Sequence, residues 1–172
     1  MTTTQRVRVI ESLEECVPRR GEAKVFLAGG MHNCPDWRAD AIAAFERSWP
    51  DRRPLGLFSP RRNVSGSSGF DEAMVGWEHR HLSRADLVLF WFPAGNAHRP
   101  EQPIALYELG AAAASGRPVA VGVEHGYRRR SDVIAQLRYA RPELPVHHDL
   151  GSTVRAAVRV LGSGTYPLRD AS

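Results

Sequence analysis

Two glutamates stand where the hydrophobic pattern calls for buried surface. Residues 71–83 read as a helix in which Met74, Glu78 and Leu82 recur every four residues and so share one stripe. Asp71 lies one further turn back on that side, and Trp77 borders it. In a second helix, Ile104–Ser115, Glu108 shares a stripe with Ile104 and Ala112. A carboxyl group on an apolar stripe faces a sheet or a cavity. Desolvation there raises its pKa, while a neighbouring donor can hold a second carboxyl ionised. Such a pair suits the cleavage of a glycosidic bond. One carboxylate attacks or stabilises the sugar C1, and the other group protonates the leaving atom. Trp77, Trp91 and Phe92 offer faces on which a base or sugar could stack, although Trp91 reads equally well as a core strand residue.

The elements that position these residues alternate between short apolar runs and helical patterns, as βαβ units do. Strands are expected at Val7–Ile10, Lys24–Ala28, Leu55–Phe58, Leu87–Trp91 and Val119–Val123. Helices are expected at Pro35–Ser48, Asp71–Ser83, Ile104–Ser115, Ser131–Leu137 and Ser152–Leu161. Phe70 and Asp71 are placed as staple and N-cap of the second helix, and Gly116 as the stop of the third. Residues 61–69 read as a polar Gly/Ser loop, and His147-His148 as another polar loop. The run Leu87–Trp91 is apolar at every position, the mark of a strand covered on both faces. The fold class is α/β, a three-layer sandwich with about five mainly parallel strands. One domain fills residues 1–172, with tails at 1–5 and 163–172. Ligands of such folds bind outside the carboxyl ends of the strands, which here are Gly29-Gly30, Phe92-Pro93 and Val123-Glu124.

Composition and missing motifs exclude several functions. The chain has 42% hydrophobic and 24% charged residues, with a net charge of +4. Its arginines form small scattered clusters, so no nucleic-acid polymer is expected as partner. The two cysteines, Cys16 and Cys34, make no disulfide framework and read as reduced thiols. There is no signal-peptide pattern and no apolar run of membrane-spanning length, which points to a cytoplasmic protein with no membrane partner. A dinucleotide fingerprint, a P-loop and a nucleophile elbow are all absent. Glu78-His79 with His81, and His147-His148-Asp149, lack metal-ligand spacing, so neither metal nor cofactor is expected.

The ordered series Val25-Phe26-Leu27-Ala28-Gly29-Gly30, Asp36-Trp37-Arg38, Ser59-Pro60-Arg61-Arg62, Trp77-Glu78, Ala85-Asp86-Leu87-Val88-Leu89-Phe90-Trp91-Phe92-Pro93 and Tyr107-Glu108-Leu109-Gly110 resembles the nucleoside 2-deoxyribosyltransferase-like family. The resemblance runs from about Lys24 to Asp132. It implies a flavodoxin-like or Rossmann-like domain, usually a homo-oligomer, that cleaves the N-glycosidic bond of a small nucleoside or nucleotide. Water or a second base would be the acceptor. By position, Glu108 matches the nucleophile and Glu78 the acidic residue at the leaving base, with Asp71 a further candidate for the proton. Gly29 and Gly30 match the turn that lets the ligand approach the backbone, and Trp77 would line the base pocket. Trp37, Trp91 and Pro93 complete the candidate substrate-binding set, and Arg61 and Arg62 are candidates for a 5′-phosphate. One element departs from the pattern. The better-known transferases carry an aspartate in a D-G-[ST] element before the nucleophile, where this chain reads Glu101-Gln102-Pro103-Ile104. That departure keeps a second class in play, a non-catalytic nucleotide-binding or sensing module on the same fold.

Overall fold

The computed structural model describes residues 6–30, 34–50, 53–60, 71–95 and 102–163. Six strands form one parallel sheet: β1 (Val7–Glu11), β2 (Ala23–Gly29), β3 (Leu55–Ser59), β4 (Leu87–Phe92), β5 (Val119–Val123) and β6 (Val146–His147). Their spatial order is β1-β3-β2-β4-β5-β6. The helices between them are α1 (Trp37–Ser48), α2 (Glu72–Arg84), α3 (Pro103–Ala114), α4 (Arg130–Ala140) and α5 (Leu150–Gly162). This is the expected three-layer α/β fold with one strand more than the apolar runs announce. The extra strand corrects the reading of His147 as loop, while His148 lies just beyond it. Val146 and His147 pair in parallel with Val121 and Gly122, although the segment has no apolar run of its own.

Period-two alternation sorts the side chains to the two faces of the sheet. Val25 and Leu27 of β2 and Leu87, Leu89 and Trp91 of β4 pack with Trp37, Ala41 and Phe45 of α1 and with Val154, Ala157 and Leu161 of α5. Phe26, Val88, Phe90, Phe92 and Val121 face the other way and pack with Trp77 of α2, Leu109 and Ala112 of α3, and Val133 and Leu137 of α4. Full burial of each large apolar side chain contributes roughly 1.5–3 kcal/mol. The central strands are therefore covered on both faces, which is why Leu87–Phe92 carries no polar residue.

Local chemistry sets the ends of the elements. Asp36, Asp71 and Asp149 cap α1, α2 and α5 by accepting N–H bonds from Ala39, Ala73 with Met74, and Ser152. Gly116, just beyond α3, has φ +67°, a conformation that favours glycine. Asp86 opens β4 and is buried; its carboxylate accepts the Lys24 backbone N–H at 2.8 Å and lies 3.9 Å from the Lys24 ammonium. That tie aligns β4 with β2.

The chain leaves β2 toward β3 on one side and returns to β4 on the other. The winding reverses between β2 and β4, so their carboxyl ends form the topological switch point. Gly29 pairs with Trp91 there.

Candidate active site

At the switch point β2 ends in a turn that only glycine can make. Gly29 has φ +147°, and a Cβ on it would lie 2.0 Å from the Trp91 carbonyl oxygen. A Cβ on Gly30 would lie 2.7 Å from the side-chain amide nitrogen of Gln102. The first two residues of α1 close over this turn. The Trp37 indole N–H donates to the Gly30 carbonyl at 2.8 Å. Arg38 donates to the same oxygen at 2.9 Å, to Gly29 O at 3.2 Å and to Leu27 O at 3.3 Å. Its guanidinium carbon lies 4.4 Å over the Trp37 ring.

Glu108 enters from the opposite side of the sheet, on α3. The helix buries Ala105, Leu109, Ala112 and Ala113, and Glu108 stands half-buried at the edge of that stripe. Burial pushes its carboxyl up from 4.5 to about 7; the nearby negative charge of Glu78 adds to the rise, and Arg38 opposes it. Glu78 is half-buried on α2, between buried Met74 and partly buried Leu82. Charged groups on α1 and α2 thus act on the Glu108 carboxyl of α3. Ile104 does not share the buried stripe of Glu108, because it is 64% exposed.

Several residues of the sequence-derived set sit elsewhere. Trp77 is fully buried, with 0% exposure, stacked on His81 and donating its indole N–H to Glu14 O at 2.9 Å. It packs in the core on the α2 side of the sheet. Trp91 is buried on the α1–α5 face of the sheet, the side opposite Glu108. Trp37 is buried and spends its N–H on the turn. Asp71 is exposed, and its carboxylate is occupied by the N–H groups of Ala73 and Met74. Pro93 is buried directly after β4. Arg61 and Arg62 lie outside the described residues, as do Phe70 and the expected loop at 61–69.

Three residues of the site were absent from that set. Arg38 has a sequence signal: a cation one step after a tryptophan at a helix start, in the Asp36-Trp37-Arg38 series. Glu124, at the end of β5, accepts the Ala94 N–H at 2.6 Å and so fixes the backbone that follows β4. Gln102 precedes α3 with φ 54° and ψ 56°, a left-handed conformation uncommon for glutamine. Its side-chain oxygen is buried with no hydrogen-bond partner among the described residues. Glu124 was legible only as a strand end on the ligand-binding rim, and no spacing rule in the sequence signals Gln102. Among the described residues, no group of three or more His, Cys, Asp or Glu side chains is arranged to hold a metal ion. No helix among them is long and apolar enough to cross a membrane.

A doubly wound parallel sheet with a glycine turn and a buried arginine at its switch point is the setting in which α/β domains bind small molecules. The sequence comparison narrows that class. The family model described as "Nucleoside 2-deoxyribosyltransferase like" matches residues 22–127, well over half of the chain. The chain belongs to that family. No curated protein matches it significantly.

Proposed function

We propose that the chain cleaves the N-glycosidic bond of a nucleoside or nucleotide, with Glu108 as nucleophile. The observation that carries this reading is Glu108, half-buried on α3, with its carboxyl pushed up to about 7 by burial and by the charge of Glu78. A carboxyl held there exchanges its proton near neutrality. Positive charge developing at C1′ favours the negative charge on Glu108 and the proton on Glu78. The Glu108 carboxylate then bonds to C1′ as the C1′–N bond breaks. The bonding electron pair leaves with the base, which takes the proton from Glu78. Attack on the glycosyl ester by water, with Glu78 taking the water proton, frees the sugar and Glu108. Attack by a second base instead gives a transferred nucleoside.

The glycine turn at the end of β2 and the family match support this reading. In the same reading the chain is a homo-oligomer. Ile104 and Tyr107, 64% and 76% exposed on the helix that carries Glu108, support an apolar contact there, and sedimentation velocity tests it. The decisive assay is chromatographic release of free base from nucleosides, 2′-deoxynucleosides and their 5′-monophosphates, with and without a second base. Wild type is expected to release base and Glu108→Gln to release at least about 1,000-fold less. Binding of these ligands that survives Glu108→Gln, with no release by wild type, would instead identify a sensing module.

A further inference from the structure

Gln102 is held in a way that its own helix does not explain. It precedes Pro103 at the start of α3 with φ 54° and ψ 56°, the left-handed region that residues other than glycine rarely adopt. Its carbonyl accepts the Leu106 N–H at 3.1 Å and so opens the helix. Its side chain makes no capping bond, which a Ser, Asp or Asn at this position is suited to make. The position thus gives up both a relaxed backbone and a cap. The amide lies instead against Gly30, in the space that a side chain there would fill. A Cβ on Gly30 would stand 2.7 Å from Gln102 Nε2, 2.8 Å from Cδ and 3.1 Å from Oε1. Gly30 is itself buried, and its carbonyl is taken by Trp37 and Arg38. Gln102 Oε1 is buried with no hydrogen-bond partner among the described residues. The carbonyl oxygens of the turn cannot serve it, because they too are acceptors. An amide oxygen taken out of water without a donor is costly. A strained backbone and an unmet acceptor therefore meet in one residue, at the end of β2 where ligands of such folds bind and on the helix that carries Glu108.

Resting on the glycosidic reading, we infer that Gln102 is a specificity-determining residue, whose side-chain oxygen accepts a hydrogen bond from an O–H or N–H of the nucleoside or nucleotide seated on the glycine turn. The sugar hydroxyls and the N–H groups of the base are the donors such a ligand offers. A ligand that brings the donor satisfies the oxygen. One that lacks it leaves the acceptor unmet, and the site discriminates against it. Gly30 has no side chain because the amide occupies that space.

The test compares wild type with Gln102→Met, which keeps the length of the side chain without the acceptor, and Gln102→Glu, which keeps an acceptor. Dissociation constants are measured for adenosine, guanosine, cytidine and uridine, for their 2′-deoxy forms and for their 5′-monophosphates. They are measured again for analogues of the tightest binder that lack the 2′-hydroxyl, the 3′-hydroxyl or an N–H of the base. In wild type and Gln102→Glu one such deletion is expected to weaken binding about tenfold, and in Gln102→Met the same deletion to cost less than about twofold. A hydroxyl deletion that behaves so assigns the donor to the sugar, and an N–H deletion assigns it to the base. The Gln102 side-chain 15N amide signals, assigned by their absence in both variants, are expected to shift when the ligand binds wild type. Gln102→Met without ligand is expected to melt no lower than wild type, because it removes an unmet acceptor. A Gln102→Met that fails to fold or melts far below wild type would show that the amide serves the fold and would overturn the inference. Equal deletion costs in wild type and Gln102→Met, amide signals that stay in place, or no binding by any member of the panel would overturn it as well. Base release by wild type with equal deletion costs would defeat the role of Gln102 alone. Binding that behaves as stated, without base release, would defeat the glycosidic reading and leave Gln102 as the specificity residue of a binding module.

Discussion

Replacing Glu108 by Gln removes a carboxyl that the fold holds at about 7 against 4.5 in an unfolded chain. The sign follows from proton binding. Between those two values the folded protein binds more protons at this group than the unfolded chain does, so stability falls as pH rises through the window. A displacement from 4.5 to about 7 corresponds to roughly 3 kcal/mol. Because Glu108 is only half-buried, solvent screening reduces that to about 2 kcal/mol. Gln has nearly the same shape and no charge. At pH 4 wild type and variant should therefore unfold at nearly the same urea concentration. From pH 4.5 to 7 the variant should gain on wild type, and above pH 7 it should stay about 2 kcal/mol more stable while losing base release. The assay is urea unfolding at unit pH steps from 4 to 8, read as the difference between the two proteins. A difference that does not change with pH, or a variant less stable than wild type at pH 8, would refute the claim that the fold is strained by a carboxylate it keeps for chemistry.

Gly29→Ala drives a Cβ to 2.0 Å from the Trp91 carbonyl and forces alanine to φ +147°, so it should cost at least 3 kcal/mol and abolish the switch-point turn; thermal melting reads this directly. Gly30→Ala meets the Gln102 amide at 2.7 Å, the end of a side chain that can shift, so it should melt within a few degrees of wild type yet raise KM for the nucleoside or nucleotide substrate. Asp71→Ala should lower stability by about 1 kcal/mol through the lost α2 cap, with kcat/KM unchanged, and a large loss of kcat would return Asp71 to the chemistry. Trp77→Phe should cost about 2 kcal/mol through the lost bond to Glu14 O and the space left in the core. Its kcat and KM at a temperature where the variant is folded should match those of wild type, since the ring is fully buried.

The same physical rule separates what the sequence displayed from what it concealed. Strands β2 to β5 and helices α1 to α3 announce themselves because covering both faces of a sheet demands apolar runs, and covering one face of a helix demands a stripe. Glu78 and Glu108 were legible for the same reason, as polar residues interrupting stripes. Strand β6 was concealed because two residues at the edge of the sheet need no apolar pattern; pairing with Val121 and Gly122 alone defines it. Trp77 and Trp91 were candidates for the ligand through stacking and the family resemblance, with Trp91 reading equally well as core, because residue type does not reveal depth. Both rings were instead taken up by opposite faces of the core. Asp71 illustrates the converse: one position served two readings, and the N–H groups of Ala73 and Met74 decide for the cap.

Arg38 is the residue for which neither periodicity nor composition could suffice. A buried cation violates the hydrophobic pattern of α1, and what makes it tolerable lies on another element, in carbonyls that become available only because β2 ends at a glycine turn. Its second effect lies on a third element, at Glu108. The site is therefore coupled through backbone as much as through side chains. Gly29 permits the turn, the turn presents the carbonyls, the carbonyls hold Arg38, and Arg38 opposes the charge of Glu78 on Glu108. A change at Gly29 should accordingly be felt in the titration of Glu108 wherever the variant still folds, because releasing the carbonyls releases the guanidinium that moderates it.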